Sequence, residues 1–292
     1  MSHQPKIAYF SGEPIGVPVL NELAAAGIIP DLIVTNPDRP SGRKLELTPP
    51  PSKVWATHNN IPVFQPASLK NREDLAQLTE IEWDLFVVVA YSQIMPEWLI
   101  ELPKQKTINL HPSLLPALRG PSPIRSAILN DTPEAVGATV MLMDKDMDHG
   151  PLLTQETLTT DVWPPNGIDL DHQLATSGGQ LLASTIPDYL AGNISPQTQD
   201  HDKATFTKKL SKEMGELTID PHNLPSSNEA QITLFKIKGL AGWPGTYFFH
   251  NEKRIKVIDA FLTKGGTLEI TEVIPEGKSK MPFSTYLNST TE

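Results

Sequence analysis

Apolar runs and amphipathic stretches alternate along the first two thirds of the chain. The run DLFVVVAY at 84–91 is almost continuously apolar and β-branched, which is typical of a central parallel strand buried on both faces. At 17–27 the apolar positions instead recur at helical spacing, and Gly27 is a natural helix end. This pattern predicts strands at 6–10, 30–35, 61–66, 84–91, 106–111, 136–144 and 151–158. It predicts helices at 17–27, 53–60, 72–80, 122–130 and 167–192.

Strands that alternate with helices predict an α/β fold built on a doubly wound, mainly parallel sheet. The last two predicted strands, 136–144 and 151–158, are separated only by the turn KDMDHG, so we expect an antiparallel or mixed edge. The helix 167–192 is expected to cover this sheet, although Gly178 and Gly179 lie inside it.

The pattern changes after residue 192. The later part of the chain contains short runs typical of strands, at 246–250, 253–261 and 267–275. We therefore predict a first domain over 1–192, a linker over 193–205 and a small β-rich second domain over 206–292.

Composition limits the classes of protein that this sequence can encode. Hydrophobic residues make up 39% and charged residues 20%, which is typical of a globular protein with a packed core. The chain has no cysteine, so a disulfide scaffold, a thiolate metal site and a cysteine nucleophile are excluded. No apolar stretch approaches the ~18 residues of a membrane span, and the first residues lack the apolar core of a secretion signal. We expect a soluble, cytoplasmic protein without membrane association.

The net charge of −10 argues against a general nucleic-acid binder, but the charge is unevenly distributed. Residues 203–292 hold 12 of the 24 basic and 10 of the 34 acidic side chains, a balance of +2. The other residues hold 12 basic and 24 acidic side chains, a balance of −12. Such asymmetry fits either a tail that faces nucleic acid or an ordinary solvated surface.

Polar side chains that suit catalysis stand at a predicted strand end. Asn109 and His111 close the strand, and strand alternation places them on one face. In open α/β sheets, ligands bind beyond the carboxyl ends of the strands. The turn after the next strand carries Asp144, Asp146 and Asp148, which approach the Asn-His pair if the two strands are neighbours.

An amide, an imidazole and a carboxylate together suit acyl transfer. Asn donates a hydrogen bond to a developing oxyanion, His donates or moves a proton, and Asp orients the imidazole and accepts the proton of an attacking amine. The spacing alone also fits a structural Asn-x-His pair and an ordinary acidic turn. A metal site at Asp144, Asp146, Asp148 and His149 is disfavoured because the calcium-loop pattern is absent.

Longer motifs distinguish between the catalytic and the structural interpretation of these residues. They are TNPDRPSGR (35–43), IPVFQPASL (61–69), VVVAYSQIMP (87–96), INLHPSLLPALRGPSPI (108–124) and MDKDMDHGPLL (143–153). Together they resemble the folate-dependent formyltransferases, and within that family the members that formylate initiator methionyl-tRNA. The family core is Asn-x-His followed by Ser-Leu-Leu-Pro and, later in the chain, an Asp-x-Gly turn. The similarity runs in order over roughly residues 5–220.

The resemblance implies a Rossmann-like formyltransferase domain and direct transfer of a formyl group from 10-formyltetrahydrofolate to an amine. Asn109 and His111 would stabilise the tetrahedral species, while Asp148 would hold the imidazole and mediate proton transfer. The implied folate-binding residues are Ser113, Leu114, Leu115, Pro116, Val89, Ala90, Tyr91, Ser92 and Gln93. Initiator methionyl-tRNA is expected along the loop 36–50, where Arg39, Arg43 and Lys44 would meet its phosphates. The sequence gives no indication of Mg²⁺, and we expect a monomer.

Several features depart from the family pattern, among them Glu13 in the segment SGEPIGVP, where the family usually has threonine. Ser92 stands where the family usually has glycine, and Glu46 places a negative charge in the loop expected to meet tRNA. The chain also passes almost directly from KVIDAFL to GGTLEITEVIPEGKSKM, where the family normally has another hairpin. We therefore expect a shortened OB-like barrel in the second domain. Two alternatives stay open: formylation of another amine, such as a nucleotide-linked amino sugar, and a catalytically silent folate- or RNA-binding protein.

Overall fold

The structure is a computed structural model that describes residues 4–41 and 45–289. The described residues divide into two compact units. The first consists of the chain up to Arg119 together with Ala135–Leu158 and His172–Phe206. The second consists of Gly120–Glu134, Thr159–Asp171 and the chain from Thr207 onward.

In its described residues, the first unit contains nine strands and most of the helices that were predicted before residue 192. The strands are β1 Ile7–Phe10, β2 Leu32–Val34, β3 Arg39–Ser41, β4 Glu46–Thr48, β5 Val63–Phe64, β6 Leu85–Val88, β7 Thr107–His111, β8 Gly137–Leu142 and β9 Leu152–Thr157. The helices at predicted positions are α1 Gly16–Ala25, α2 Pro51–His58 and α3 Ala76–Thr79, and α4 Glu97–Ile100 was not predicted. Helix α5, Pro123–Leu129, belongs to the second unit, and α6, Gly167–Leu190, enters the first unit at His172.

Seven of these strands form one sheet in the order β5-β2-β1-β6-β7-β8-β9. The pairs from β5 to β7 are parallel, whereas β7 with β8 and β8 with β9 are antiparallel. The prediction of a doubly wound, mainly parallel sheet with an antiparallel edge is confirmed. Leu142, the last residue of β8, pairs with Ile108 in the first half of β7, so the turn after β8 begins there and extends back to His111.

Both faces of the sheet are covered by apolar side chains, which explains the uninterrupted apolar run of β6. Leu85 and Val87 point into one core together with residues of α1 and α6. Phe86 and Val88 point into a second core together with Leu78 of α3 and residues of α4. Alternate residues of one strand therefore serve two cores, as expected for a central strand.

The two glycines inside α6 allow it to approach its neighbours closely. A Cβ atom at Gly178 would lie 3.1 Å from Leu110 Cδ2 of β7. A Cβ atom at Gly179 would lie 2.8 Å from the Cβ of Glu22 and 3.2 Å from the Cα of Val19, both on α1. These glycines are therefore packing residues, and the helix continues through them.

The second unit contains the predicted β-rich tail. Its strands are β10 Thr246–His250, β11 Lys253–Leu262, β12 Leu268–Pro275 and β13 Met281–Pro282, and its further helices are α7 Ser227–Gly239 and α8 Phe283–Asn288. The four strands form an antiparallel sheet in sequence order. An OB barrel has five strands, so this sheet fits the shortened form that was expected. Phe248, Ile255 and Val273 form its apolar core with Leu234 of α7.

Several elements differ from the sequence-based prediction. The loop 36–51 contains the two-stranded hairpin β3–β4, whose short strands include a proline and show no alternating pattern. Helix α7 was missed although its buried residues Ala230, Thr233, Leu234 and Ile237 have helical spacing, because β-branched residues obscure that spacing.

Residues 193–205, which were predicted to form a linker, lie within the first unit. Backbone hydrogen bonds hold them there: Leu152 and Gln197 exchange bonds of 2.7 and 2.8 Å, and Arg119 N donates to Thr205 O at 2.8 Å. The segment lacks helix and strand periodicity, which is why its attachment was not visible in the sequence. Within the described residues, no helix is long and apolar enough to cross a membrane.

The close approach of α6 to α1 predicts the effect of a single methyl group. We expect Gly179→Ala to lower the free energy of unfolding by about 1–3 kcal/mol, because the new Cβ collides with backbone-proximal atoms that cannot rotate away. Thr176→Ala, at an exposed position of the same helix, is the control and should be neutral or slightly stabilising. Urea unfolding of both variants measures the difference. Equal stability of the two variants would contradict this packing account.

Candidate functional site

The candidate site lies where the parallel strands β1, β2, β6 and β7 end. Loops from separate strands are joined there: Gly12 N donates to Ala90 O at 3.2 Å, and Ser92 Oγ donates to Asn36 Oδ1 at 3.2 Å. A Cβ atom at Gly12 would lie 2.1 Å from Asn36 Nδ2, so a larger residue here would displace the Asn36 amide. The loops form the kind of edge at which open α/β sheets bind ligands.

Asn109 and His111 lie on β7 at this edge, on the same face of the sheet. Asn109 is opposite Val88 of β6 and Met141 of β8. Asn109 is half-buried, whereas His111 is only 4% exposed. The prediction that strand alternation places the two side chains together therefore agrees with their positions on the strand.

His111 has an acceptor on each side of its ring. Nε2 lies 3.1 Å from the backbone oxygen of Leu118, and Nδ1 lies 3.5 Å from Asp148 Oδ1. A carbonyl oxygen can only accept, so Nε2 must carry a proton. Nδ1 is therefore the ring nitrogen that faces the carboxylate. The separation of 3.5 Å is longer than a normal hydrogen bond, as is common for catalytic pairs before substrate binds.

Asp148 is brought to His111 by a tight turn between β8 and β9. Its backbone is left-handed, with φ of 52°, which is uncommon for a residue with a side chain. Gly150 follows, and a Cβ atom there would lie 2.0 Å from Leu142 O. The glycine of the Asp-x-Gly motif is therefore required by the close approach of two backbone segments.

The turn distinguishes among the three candidate aspartates. Asp144 Oδ2 lies 2.7 Å from His149 Nδ1, and its Oδ1 accepts a 3.0 Å bond from Asp146 N. Asp144 therefore shapes the turn, Asp146 is exposed, and Asp148 reaches His111. In the described part of the chain, no group of three or more histidines and acidic residues is arranged to hold a metal ion.

The strip Ser113–Pro116 follows β7 and presents two of its four side chains outward. Ser113 is fully buried, and its Oγ donates to Ala117 O at 2.6 Å. Leu115 is 3% exposed, whereas Leu114 and Pro116 are half-buried. Ser113 and Leu115 therefore fix the conformation of the strip, and Leu114 and Pro116 are the members available to a ligand.

Two further residues anchor this strip, and sequence reasoning missed both. Thr139 of β8 donates its hydroxyl to Ser113 O at 2.6 Å and accepts a 3.2 Å bond from Leu115 N. Gln155 of β9 donates from Nε2 to Leu115 O at 2.8 Å and to Thr139 Oγ1 at 2.9 Å. The signal was available, because Thr139 is the single hydroxyl in the otherwise apolar strand GATVML.

The segment Val89–Gln93 follows β6 and is firmly connected to its surroundings. Val89 N donates to Phe10 O at 2.9 Å, Ala90 is left-handed with φ of 47°, and Gln93 Nε2 donates to Pro66 O at 3.0 Å. The Tyr91 ring packs edge-on against Phe10. Ser92, which stands where the family usually has glycine, uses its hydroxyl in the bond to Asn36 that a glycine could not make.

The hairpin β3–β4 carries the described part of the expected tRNA-binding loop. Arg39 is exposed on β3 opposite Thr48, and Glu46 is exposed on β4. Arg43 and Lys44 lie outside the described residues. The base of the hairpin is anchored by Asp38, whose carboxylate accepts bonds from Gln65 Nε2 at 2.7 Å and Lys53 Nζ at 2.8 Å. Those bonds, that of Gln65 first, lower the pKa of Asp38.

Comparison with known proteins assigns the class. A family model described as formyl transferase matches residues 7–184, which include the sheet, the Asn109–His111 strand and the Asp148 turn. The chain belongs to the formyl transferase family, and it is an enzyme of that class.

Particular relatives carry a narrower name. The methionyl-tRNA formyltransferase of Listeria innocua serovar 6a is 35% identical over 306 aligned positions, which cover 97% of this chain and 95% of the relative. The methionyl-tRNA formyltransferase of Staphylococcus epidermidis is 35% identical over 283 positions, which cover 89% of this chain and 88% of the relative.

Solved structures share the fold at lower identity. A sugar N-formyltransferase from Shewanella sp FDAARGOS_354 has a TM-score of 0.63 at 19% identity, covering 92% of this chain and 96% of its own. An N-formyltransferase from Helicobacter canadensis, in complex with folinic acid and dTDP-3-aminofucose, has a TM-score of 0.64 at 16% identity, covering 95% of this chain and 100% of its own. HypX from Aquifex aeolicus, in complex with tetrahydrofolic acid, has a TM-score of 0.62 at 14% identity, and the match covers 99% of this chain and 48% of HypX. These likenesses support the fold alone.

The bonds of Thr139 predict that its hydroxyl is important for stability. We expect Thr139→Val to lower the free energy of unfolding by about 1–3 kcal/mol, because Ser113 O and Leu115 N lose a partner in a buried position. Thr157→Val, at an exposed position of β9, is the matched control and should change stability little. Chemical denaturation compares the two variants. A Thr139→Val protein as stable as the control would show that the hydroxyl does not hold the strip.

Burial raises the pKa of Tyr91 to about 12 from its ordinary value of 10.0. The folded protein therefore keeps the phenol proton over a pH range in which the unfolded chain releases it, so the free energy of unfolding falls as the pH rises through that range. We expect this fall between pH 10 and about 12 to be smaller in Tyr91→Phe than in the wild type. Denaturation series at several alkaline pH values measure it, and identical slopes would contradict burial of the hydroxyl.

Proposed function

We propose that this chain transfers a formyl group from 10-formyltetrahydrofolate to the α-amine of methionine carried by initiator tRNA. The relatives named methionyl-tRNA formyltransferase support the acceptor, because the similarity extends over 97% of this chain and 95% of the Listeria innocua protein. The observation that carries the chemistry is the arrangement of His111 between the Leu118 carbonyl and the Asp148 carboxylate. Aminoacyl-tRNA is a cytoplasmic substrate, so the proposal places the protein in the cytoplasm.

The residues of this chain fit direct attack by the amine. A bond forms between the amine nitrogen and the formyl carbon, and the bond from that carbon to N10 of the folate breaks. Asn109 donates a hydrogen bond to the oxygen on which negative charge develops. Asp148 accepts the proton that the amine loses and transfers it to His111 Nδ1, which faces the carboxylate and delivers it to the leaving nitrogen. No cysteine is present, so no thioester intermediate on a cysteine is available.

The accessible side chains beside this set fit a folate. Leu114 and Pro116 keep partly exposed apolar side chains in the loop that directly follows Asn109 and His111. An apolar wall with a few fixed polar groups is the usual composition of a site for a flat heterocycle. When bound, 10-formyltetrahydrofolate supplies the activated formyl group. The solved relatives in complex with folinic acid and tetrahydrofolic acid are consistent with this choice of donor.

The hairpin β3–β4 supports a nucleic-acid acceptor. Arg39 is exposed, and the anchored base at Asp38 holds the hairpin while leaving its outer residues accessible. An exposed arginine on such an element suits contact with the phosphates of an acceptor stem. Glu46 lies on the opposite strand of the hairpin and opposes phosphate contact on that side. Contacts with tRNA should therefore favour the β3 side.

Formyl transfer to defined acceptors tests this proposal. The protein is incubated with 10-formyltetrahydrofolate and either methionyl-tRNA or a dTDP-linked amino sugar, and the formylated product is quantified. We expect product with methionyl-tRNA. Transfer to the amino sugar alone would replace the proposed acceptor, and transfer to neither would favour a silent folate- or RNA-binding protein.

A pair of aspartate variants tests the catalytic assignment. We expect Asp148→Asn to lower kcat by about 10²–10⁴-fold, because the amide cannot accept the proton of the amine. Asp146→Asn changes the same turn at an exposed position and should stay within about twofold of the wild type. Steady-state kinetics with saturating donor compare the variants. Near-normal turnover of Asp148→Asn would remove Asp148 from the mechanism.

A further inference from the structure

The segment 197–206 lies beside the candidate site. It contacts the backbone of Leu118 and of Asp148, the two residues that face the His111 ring. Its ends are fixed by backbone bonds, Gln197 to Leu152 and Thr205 to Arg119. We call residues 197–206 the bracing segment. It lies entirely within the first unit, although its sequence shows no helix or strand pattern.

Gln199 connects the bracing segment to the Asp148 turn. Its side chain is 4% exposed, and Nε2 donates to Asp148 O at 3.0 Å and to Gly150 O at 2.7 Å. Both hydrogens of the amide are therefore used on the two backbone carbonyls that flank His149. The bond to Asp148 O restrains a residue whose backbone is left-handed.

Arg119 fixes the orientation of this amide. The guanidinium is 4% exposed, and its Nη2 and Nε lie 2.6 and 3.2 Å from Gln199 Oε1. A guanidinium can only donate, so the oxygen of Gln199 must face Arg119 and the amide nitrogen must face the turn. Nη2 also lies 2.9 Å from His201 Nδ1, and the His201 ring stacks on His149 at a centroid separation of 4.1 Å. The amide is therefore held in one orientation.

Thr205 supports the other side of His111. Its Oγ1 accepts a 2.8 Å bond from Leu118 N, and its backbone N donates to Pro116 O at 3.3 Å. Leu118 is also left-handed, with φ of 60°, and its carbonyl is the acceptor for His111 Nε2. Both partners of the imidazole thus belong to left-handed residues, and the bracing segment contacts each of them. Strained backbone of this kind persists only where the surroundings enforce it.

We propose that the bracing segment sets the positions of both partners of His111, with Gln199 as a positioning residue for Asp148. The expected effect on kcat rests on the proposed function, whereas the restraint of the Asp148 turn by Gln199 does not. Gln199 holds the Asp148 backbone so that the carboxylate stays beside Nδ1, and Thr205 holds the Leu118 backbone so that its carbonyl stays beside Nε2. A misplaced catalytic carboxylate slows the chemical step and leaves substrate binding largely intact.

Variants of Gln199 test this role. Gln199→Glu keeps an acceptor for Arg119 but cannot donate to Asp148 O and Gly150 O, and Gln199→Met removes both functions. We expect each to lower kcat by about 10–100-fold, with KM for donor and acceptor within about twofold of the wild type. The matched controls are Gln197→Glu and Gln197→Met, two residues away, because the Gln197 side chain is exposed and its bonds to Leu152 use the backbone.

The kinetic comparison is made per folded molecule, with the folded fraction taken from near-ultraviolet circular dichroism. A kcat of both Gln199 variants within about twofold of the Gln197 controls would overturn the proposal. So would a loss of activity accounted for entirely by the unfolded fraction, because that result describes a structural residue. A fall in kcat at constant KM, confined to the Gln199 variants, supports it.

A second readout does not depend on activity. Amide hydrogen exchange of the peptide 143–153 should accelerate in Gln199→Glu relative to Gln197→Glu, while peptides from β1 and β6 exchange as in the wild type. Unchanged exchange at 143–153 would overturn the proposal even if kcat falls. If the wild type formylates no acceptor, the proposed function fails, and this exchange comparison still decides whether Gln199 restrains the turn.

Discussion

The hydrogen bond between His111 Nε2 and the backbone carbonyl of Leu118 is the constraint on which the site depends. A backbone carbonyl neither titrates nor rotates independently, so it determines which ring nitrogen remains for chemistry. Because Nε2 is bonded to this carbonyl, Nδ1 is the ring nitrogen that faces Asp148. The proposed roles of the Asn109 amide, the imidazole and the Asp148 carboxylate follow from this one hydrogen bond. The proline-containing loop after β7 therefore does more than carry the strip 113–116, because it returns the chain to the imidazole at Leu118.

The rest of the first unit holds that loop and the Asp148 turn in place. The turn between β8 and β9 places the Asp148 carboxylate beside His111, and Thr139 of β8 and Gln155 of β9 hold the strip 113–116. Arg119 and Gln199 restrain the turn from the other side. The geometry of the candidate site is thus distributed over segments far apart in sequence, and the second unit is not needed to describe it.

The sequence allowed prediction of the sheet, of α6 and of the proximity of His111 and Asp148, because these depend on periodicity, strand alternation and a recognisable motif. It did not reveal Leu118, since a carbonyl acceptor leaves no mark on residue identity. Gln199 was equally hidden within a segment predicted to be a linker, where buried hydrogen bonds replace apolar periodicity. The short β3–β4 strands and α7 were missed because proline and β-branched residues contradict the local preferences of those elements.

The tautomer of His111 tests the central claim most directly. Protein labelled with ¹⁵N at the histidine rings is studied by long-range ¹H–¹⁵N NMR at a pH where the rings are neutral, with His111 assigned by its absence from a His111→Asn variant. We predict that Nε2 of His111 carries the hydrogen and that Nδ1 has the shift of an unprotonated ring nitrogen. A neutral His111 with its hydrogen on Nδ1 would show that the Leu118 carbonyl does not fix the ring, and it would contradict the account.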